Sequence, residues 1–285
     1  MIERLCLIGV GLIGGSLALA LRRAGYCRHV VGVGRGTANL EDALRLKIID
    51  EVSHNPATAV QGADMIVLAV PVGSVEAVCR RIAVPMDPDA ILTDVGSVKG
   101  DVVRQVERAF DRLPPRFVPG HPIAGTERSG ASAAFPELFE GRRVLLTPLA
   151  ATDRDAVERV RRMWEVSGAV VEEIAVDTHD RLLAATSHLP HMLAFGLVDS
   201  LARLEDSQRI FRYAAGGFRD FTRIASSDPV MWRDICLHNR DAVLEALTRY
   251  QGDLDLLRRA IESRDGDALL AIFERAKQAR DRFLH

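Results

Sequence analysis

Short apolar runs alternate with amphipathic stretches over the first part of the chain, as in a parallel β-sheet whose two faces are covered by helices. Seven runs rich in β-branched and aliphatic residues are predicted strands, at residues 4–9, 29–33, 65–70, 90–94, 117–120, 144–147 and 170–174. Stretches with apolar residues three and four positions apart are predicted helices, at residues 13–24, 38–46, 75–82, 100–110 and 154–166. The pattern predicts a doubly wound α/β domain over residues 1–173.

After Val176 the strand signals stop, and the remaining apolar residues follow a helical period. Asp228 and Pro229 are typical of an N-cap followed by the first helical residue, and Pro190 is expected to kink or break a helix. The predicted helices span residues 182–204, 230–250, 253–261 and 268–283. The second domain, at residues 174–285, is therefore predicted to be all-helical.

Composition narrows the classes of function. The chain has 285 residues with 37 basic and 39 acidic side chains, a formal net charge of -2, and 5% aromatic residues. No basic field is therefore available for nucleic acid or for an anionic membrane surface. The four cysteines lie far apart without a CxxC pair, so neither a zinc site nor a disulfide framework is expected. We expect a cytoplasmic protein without a metal.

The apolar stretch at residues 5–21 has the composition of a signal-peptide core or a short membrane span. It contains four glycines, it is short for a span, and it ends at Arg22 and Arg23 rather than at a small-residue cleavage site. We interpret it as a strand, a turn and a helix, and we expect no membrane association.

A GxGxxG motif, formed by Gly9, Gly11 and Gly14, follows the first predicted strand and opens the first predicted helix. In this context glycines permit a tight turn and a close approach of the backbone to a pyrophosphate at the helix N-terminus. The motif predicts a Rossmann-type domain that binds NAD(P). The predicted cofactor-binding residues are Gly9, Gly11, Leu12, Ile13, Gly14, Arg35, Thr37, Val70, Pro71 and Ser97.

The segment after the second predicted strand bears on the choice between NAD and NADP. An acidic residue usually binds the ribose 2′-hydroxyl of NAD at this point. Here the sequence is Gly34-Arg35-Gly36-Thr37, and a guanidinium with a hydroxyl suits a 2′-phosphate. We expect NADP to be preferred, with NAD possible; the alternative is that Arg35 is a solvated surface residue.

His121 follows directly after the predicted strand 117–120, and Pro122 stiffens the chain beyond it. Ligands of doubly wound folds bind at the carboxyl ends of the strands. A neutral imidazole there can take a hydroxyl proton as a hydride leaves the same carbon. The sequence predicts that His121 is a general base next to the nicotinamide, against the alternative of a capping or packing histidine.

Five ordered motifs span the two predicted domains: GVGLIGGS at 9–16, DVGSVKG at 94–100, GHPIAGTERSG at 120–130, SHLPH at 187–191 and GGFRDFTRIASSDPVMWRDI at 216–235. In these motifs the chain resembles the prephenate/arogenate (cyclohexadienyl) dehydrogenases of tyrosine biosynthesis over essentially its whole length. The resemblance implies NAD(P)-dependent hydride transfer from C4 of prephenate and/or arogenate with loss of CO2. The products would be 4-hydroxyphenylpyruvate and/or tyrosine.

The resemblance also implies roles for individual residues. His121 would accept the C4-hydroxyl proton, Ser97 would hydrogen-bond that hydroxyl, and Arg223 would bind a substrate carboxylate. His191 would contact the substrate side chain, with His188 one turn away. The further predicted substrate-site residues are Thr126, Glu127, Gly217, Asp220 and Trp232, of which Glu127 and Asp220 would form a gating network with Arg223 across a dimer interface.

The predicted helix 182–204 is apolar around most of its circumference, which is too much for a helix with one face in water. Exposed apolar area of that extent usually marks a subunit interface, and two-fold dimers are the commonest result. We therefore expect a homodimer through the C-terminal helices.

Several residues have alternative interpretations. Ser97 is a suitable N-cap for a helix beginning near residue 98, and Lys99 is either a site residue or a surface lysine. His188 and His191 have the spacing of a metal-binding pair, although no cysteine or carboxylate cluster lies nearby in the sequence. Arg223 has Asp220 as an alternative ion-pair partner, and Trp232 lines the pocket or only packs beneath it.

Two other functions stay open at this point. One is another two-domain NAD(P)-dependent dehydrogenase, such as a hydroxyacid enzyme or an imine reductase, which would use a lysine or aspartate on a C-terminal helix. The other is a nicotinamide-binding regulator without catalysis, which would have no need of His121, Ser97 and Arg223 together.

Overall fold

The computed structural model describes residues 1–126 and 128–283. Its strands are β1 (Ile2–Ile8), β2 (Cys27–Val33), β3 (Glu51–Ser53), β4 (Met65–Leu68), β5 (Ile91–Asp94), β6 (Phe117–Val118), β7 (Gly120–Pro122), β8 (Arg143–Leu146) and β9 (Val170–Glu173). The helices up to the last strand are α1 (Leu12–Arg23), α2 (Thr37–Arg45), α3 (Pro56–Ala59), α4 (Val75–Ile82), α5 (Gly100–Phe110) and α6 (Arg154–Val166). The later helices are α7 (Val176–Leu183), α8 (Leu189–Ala202), α9 (Ser207–Arg212), α10 (Gly216–Thr222), α11 (Pro229–His238), α12 (Arg240–Glu262) and α13 (Gly266–Phe283).

The main sheet has six parallel strands in the order β3-β2-β1-β4-β5-β6. In β1, Leu5 and Leu7 pack into a core on one face of the sheet, and Cys6 and Ile8 pack into a core on the other face. Both faces are buried, which explains why this strand is a continuous apolar run in the sequence rather than an alternating one. The predicted doubly wound α/β architecture is confirmed.

The strand predicted at residues 117–120 is two strands in two sheets. β6 ends the main sheet, whereas β7 pairs antiparallel with β8, which pairs parallel with β9 in a separate three-stranded sheet. Pro119 separates β6 from β7, because proline has no N–H to donate to a ladder; its carbonyl accepts from the Thr147 N–H at 2.9 Å. The prediction of a single sheet, with His121 just beyond a strand, was wrong: His121 lies within β7, opposite Leu145.

Helices α4, α5 and α6 have the predicted bounds, whereas the helix predicted at 182–204 is α7, a π-helical turn at Ala184–His188, and α8. Pro190 explains the irregular turn, since it has no N–H for the carbonyl of Thr186. The helix predicted at 230–250 is likewise divided between α11 and α12 at Asn239. The predicted start of α11 is confirmed: the Asp228 carboxylate accepts from the Met231 N–H at 2.8 Å.

By compactness the chain divides into residues 1–240 and residues 241–285. The first unit holds both sheets and all the site residues described below. The second holds most of α12 together with α13, and several of its large apolar side chains are about half exposed, among them Leu256 and Phe273. Within the described ranges, no helix is long and apolar enough to cross a bilayer. The boundary predicted at residue 173 stays a prediction.

Candidate active site

The turn between β1 and α1 has the shape that a dinucleotide needs. Gly9 has a φ of +101°, and a Cβ on it would overlap the carbonyl oxygen of Ala69. A Cβ on Gly14 would lie 2.6 Å from the Gly9 carbonyl oxygen, so Gly14 permits close packing of helix on strand. At Gly11, by contrast, no atom of the described residues lies within 4 Å of a Cβ, and none of their side chains caps the helix there. This open space at a helix N-terminus fits a pyrophosphate.

The neighbouring segments complete the predicted cofactor surface. Val70 follows β4 and lies beside the turn, since a Cβ on Gly9 would be 3.2 Å from its nitrogen. Arg35 is exposed between β2 and α2 and forms no ion pair with any described residue, and Thr37 is the exposed first residue of α2. His54 contacts the Gly34 carbonyl through Nδ1 at 3.0 Å. The segment from Gly34 to Thr37, which follows β2, contains no acidic residue of the kind that would select NAD.

Asn39 joins the cofactor turn to the segment that follows His121. Its amide Nδ2 donates to the Val10 carbonyl at 2.7 Å, and its Oδ1 accepts from the Ala131 N–H at 2.8 Å. Ser16 on α1 adds a second link, because its hydroxyl oxygen accepts from the Phe135 N–H at 3.1 Å. Sequence reasoning missed both residues; the only signal was a polar residue with poor helix propensity in the first turns of a predicted helix.

Lys99 is fully buried and forms an ion pair with Asp94 at the end of β5. Its ammonium group also donates to the Gly120 carbonyl at 2.7 Å, and the Asp94 carboxylate accepts from the N–H groups of Gly96 at 2.8 Å and Gly120 at 3.2 Å. Burial lowers the pKa of Lys99, an effect that Asp94 opposes. The alternative of a surface lysine was wrong: the buried Asp94 carboxylate requires a cation.

The bonds of Lys99 and Asp94 join the Ser97 loop, which is the segment between β5 and α5, to β7, the strand that contains His121. Within β7, His121 is 8% exposed, and its Nδ1 lies 2.8 Å from Nε2 of His179 on α7. Burial holds the pKa of His121 well below its usual value, and the nearby ammonium group of Lys99 acts in the same direction. The imidazole of His121 is therefore neutral around neutral pH, which is the form that accepts a proton.

Asp180 caps α5 from a distance of 81 residues along the chain. Its carboxylate accepts from the Lys99 N–H at 2.9 Å, from the Gly100 N–H at 2.8 Å, and from Nδ1 of His179 at 2.8 Å. Burial raises the pKa of Asp180, but these hydrogen bonds outweigh it and hold the pKa below its usual value. The alternative of Ser97 as the cap was wrong, since α5 begins at Gly100 and Asp180 supplies the acceptor.

The histidines of the SHLPH motif have separate hydrogen-bond partners. The Nδ1 of His188 accepts from the Asn239 amide at 3.0 Å, and the same amide donates to the Asp180 carbonyl at 2.9 Å. Burial lowers the pKa of His188 to about 4. Nδ1 of His191 bonds the Ser187 carbonyl at 2.8 Å. Among the described residues no group of three or more metal-ligating side chains was found.

His191 also stacks on Trp232, with ring centroids 3.6 Å apart and planes at 19°. Burial lowers the pKa of His191, and the positive charge of Arg223 lowers it further, so the structure brings Arg223 near this stack. Trp232 is buried, and its indole N–H has no hydrogen-bond acceptor among the described residues. Trp232 therefore packs beneath His191.

The other predicted substrate residues are exposed. Gly217 and Asp220 lie on α10, and Thr126 precedes the one internal residue outside the described ranges, Glu127. The predicted gating network includes Glu127 and therefore falls partly outside the described residues. The roles of Thr126, Gly217 and Asp220 stay predictions. Beyond these, sequence reasoning missed His179, Asp180, Asp94 and Asn239 as members of the buried cluster.

A dinucleotide turn combined with a buried neutral histidine at the same end of the main sheet defines a nicotinamide-dependent dehydrogenase. Two family models match the chain, the prephenate dehydrogenase nucleotide-binding domain at residues 17–173 and the prephenate dehydrogenase dimerization domain at residues 175–275. The chain belongs to the prephenate dehydrogenase family.

Known relatives match nearly the full length. A cyclohexadienyl dehydrogenase from Zymomonas mobilis is 40% identical over 98% of this chain and 95% of its own length. A prephenate dehydrogenase from Bacillus subtilis is 36% identical over 99% of this chain and 76% of its own. A crystal structure of Aquifex aeolicus prephenate dehydrogenase with hydroxyphenyl propionate and NAD+ has a TM-score of 0.92 and 37% identity, and covers 98% of each chain.

Proposed function

We propose that this protein catalyses the NAD(P)-dependent oxidative decarboxylation of prephenate and/or arogenate to 4-hydroxyphenylpyruvate and/or tyrosine. The observation that carries the proposal is His121, a buried neutral imidazole held at the same end of the fold as the dinucleotide turn. The relatives add support, because they are named for cyclohexadienyl and prephenate substrates and match over nearly the whole chain.

In the proposed reaction, His121 takes the proton of the C4 hydroxyl through Nε2. A nicotinamide cofactor, which the turn of Gly9, Gly11 and Gly14 would hold, would supply the acceptor for the hydride that leaves C4. The C4–O bond becomes a carbonyl, the electrons of the bond to the ring carboxylate enter the ring, and CO2 leaves as the ring aromatises. Protonation at the ring oxygen then gives the phenol. The role of His121 is to withdraw the hydroxyl proton as the hydride departs, which requires the neutral ring that burial maintains.

Further residues bind and orient the substrate in this proposal. Ser97, half-buried in the loop after β5, hydrogen-bonds the C4 hydroxyl. Arg223 binds a carboxylate with two parallel hydrogen bonds, and His191, stacked on Trp232, contacts the substrate side chain. His188, Thr126, Gly217, Asp220 and Glu127 complete the proposed substrate surface, with Glu127, Asp220 and Arg223 acting as a gate.

NADP is the proposed cofactor, with NAD as a weaker alternative. The supporting observation is that Arg35 and Thr37 are exposed in the segment after β2, and that this segment has no acid to bind a ribose 2′-hydroxyl. Against this stands the NAD+ in the related Aquifex aeolicus structure.

The proposed assembly is a homodimer through the C-terminal helices. Residues 175–275 match a dimerization domain, and large apolar side chains are exposed on α8 (Leu197), α12 (Leu256) and α13 (Phe273). Exposed apolar side chains of this size are often found at subunit interfaces.

A steady-state assay of reduced nicotinamide tests the proposed function, with prephenate and arogenate each measured against NAD and NADP. We expect turnover of at least one substrate, with release of one CO2 per reduced cofactor. A protein that binds nicotinamide but oxidises neither substrate would contradict the proposal. Reduction without CO2 release would point instead to another two-domain dehydrogenase.

A further inference from the structure

We propose that His179 and Asp180 are positioning residues that fix which ring nitrogen of His121 carries the proton. This inference rests on the proposed role of His121 as general base. The three side chains form a continuous chain of hydrogen bonds: His121 Nδ1 lies 2.8 Å from His179 Nε2, and His179 Nδ1 lies 2.8 Å from Asp180 Oδ1. His121 and His179 come from separate elements, β7 and α7, 58 residues apart in the chain.

The order of donors in this chain follows from Asp180. Its carboxylate already accepts two backbone N–H groups at the start of α5, where the helix dipole also favours a negative charge. An ionised carboxylate only accepts hydrogen bonds, so Nδ1 of His179 must be the donor. A neutral His179 then has a lone pair on Nε2, which accepts from Nδ1–H of His121. The proton of neutral His121 is thereby placed on Nδ1, and Nε2 is left as the base.

The reverse arrangement requires both nitrogens of His179 to carry protons. The surroundings disfavour this, because burial is the largest influence on the pKa of His179 and lowers it, and the buried ammonium of Lys99 acts in the same direction. Asp180 and Asp94 oppose these effects without reversing them. The other charged and titratable groups around these three hydrogen-bonded side chains are Lys99, Asp94 and His188. Their net effect together with burial is a neutral His179.

The same hydrogen bonds stabilise His121 after it has taken a proton. Both nitrogens of an imidazolium are donors, so Nδ1–H keeps its bond to His179 while the bond strengthens with the added charge. The ionised Asp180 lies one ring further along and stabilises that cation electrostatically. His179 therefore matters in the transition state more than in the ground state, which predicts an effect on kcat rather than on KM.

Asp180 also connects the base to the Ser97 loop. By accepting from the Lys99 and Gly100 N–H groups, it holds the backbone two and three residues beyond Ser97. A change at Asp180 thus alters both the cap of α5 and the histidine chain. His179 has no such second function in the described contacts, so it is the better residue for a test.

The experiment compares His179→Leu with His179→Gln, whose amide oxygen can replace the lost acceptor. We expect kcat of His179→Leu to fall by about 30-fold or more with KM within about threefold, and the acid limb of the kcat profile to move to lower pH. We expect His179→Gln to recover a large part of kcat. His29→Leu is the matched control, because it removes a histidine–carboxylate contact, to Glu51 at 3.3 Å, at the opposite end of β2 from the site.

NMR of 15N-histidine in the wild-type protein tests the proton assignment without requiring activity. Protonated and unprotonated ring nitrogens have separate 15N shifts, and His121→Asn identifies the signals of His121. We expect a proton on Nδ1 and none on Nε2. A proton on Nε2, or a folded His179→Leu with unchanged kcat and pH profile, would overturn the inference. An inactive wild type, or an unimpaired His121→Asn, would instead contradict the proposed function. If His179→Leu does not fold, the wild-type spectrum and His179→Gln still decide.

Discussion

Lys99 and Asp94 form an ion pair from which solvent is excluded on both sides. Burying two charges costs free energy that their attraction only partly recovers, so such a pair is poor evidence of added stability. Its bonds to Gly96 and Gly120 show what it does instead: it joins the Ser97 loop to the strand of His121. The pair thereby fixes the two proposed catalytic residues relative to each other.

Replacement of His121 tests the proposed base most directly. His121→Asn removes the acceptor at Nε2, and we expect kcat to fall by at least about 10²-fold while cofactor affinity stays nearly unchanged. Steady-state kinetics and titration of the cofactor by fluorescence measure the two quantities. His29→Asn, which replaces a half-buried histidine in the first half of β2, serves as the control. Near-normal turnover of His121→Asn would remove this histidine from the mechanism.

Arg223 is expected to act on substrate binding. Loss of a bidentate, charge-assisted contact in Arg223→Ala should raise KM by roughly 10²-fold, equivalent to about 3 kcal/mol. Arg223→Lys keeps the charge but not the paired geometry, so it should restore only part of the affinity. Arg212→Ala, an exposed arginine on α9, is the control. An unchanged KM in folded Arg223→Ala would assign this residue to structure.

Cofactor choice is expected to depend on Arg35. The wild-type protein should have a higher kcat/KM with NADP than with NAD, and Arg35→Asp should reverse the preference, because an acid there binds a 2′-hydroxyl and repels a 2′-phosphate. The measurement is kcat/KM with each cofactor at a saturating substrate concentration. Arg162→Asp on α6 makes the same change of charge elsewhere on the surface. A wild type that prefers NAD would show that Arg35 is an ordinary surface residue.

Stability is expected to fall on mild acidification. Burial lowers the pKa of His188 from 6.5 to about 4, so below about pH 6.5 the unfolded chain takes up a proton that the folded chain does not. The contribution of the neutral ring is complete above that range and is lost progressively as pH falls toward 4. At about pH 5 the free energy of unfolding has fallen by about 2 kcal/mol through His188 alone.

Urea unfolding of His188→Gln at neutral and acid pH measures this contribution. The amide can still accept the hydrogen bond from Asn239, but it does not titrate, so the loss of stability between about pH 7.5 and about pH 5 should shrink by roughly 1–2 kcal/mol. His29→Gln, which replaces a histidine at the surface, should leave that difference unchanged. An equal loss in wild type and His188→Gln would mean that other groups control the acid response.

Assembly is expected to depend on the apolar surface of α8. Leu197 is 38% exposed, and Leu193 lies one turn before it. Charged substitutions, Leu193→Glu with Leu197→Glu, should convert the dimer to a monomer by placing carboxylates in an apolar interface. Light scattering should give twice the 31.3 kDa chain mass for wild type and for the control Val84→Glu. A stable, active wild-type monomer at micromolar concentration would contradict the proposed dimer.

Local signals explain what the sequence made predictable. The bounds of α4, α5 and α6 follow from apolar spacing, and the turn at Gly9, Gly11 and Gly14 is encoded within six residues. The histidine at position 121 stood out because of its immediate neighbours. These features depend on contacts or conformations that lie close together along the chain.

The features that escaped prediction depend on distant partners. Asp180 was unremarkable in the sequence because its role arises only when α7 lies against the start of α5. Lys99 had two open interpretations in the sequence, because its burial against Asp94 depends on the folded structure. The separate sheet of β7, β8 and β9 escaped for a related reason, since strand patterns do not state which strand is the partner, and Pro119 interrupted what looked like one strand.

The cap that Asp180 gives to α5 has a consequence for the modularity of this enzyme. A chain cut after the last strand would retain both sheets and the nucleotide turn, yet the first turn of α5 would lose its acceptor and His121 its neighbour on α7. The nucleotide-binding part alone therefore does not contain the complete catalytic centre. If it were transferred to another scaffold, it would keep the cofactor surface but would lose the hydrogen bonds that position His121 and the start of α5. Those hydrogen bonds come from residues beyond that part.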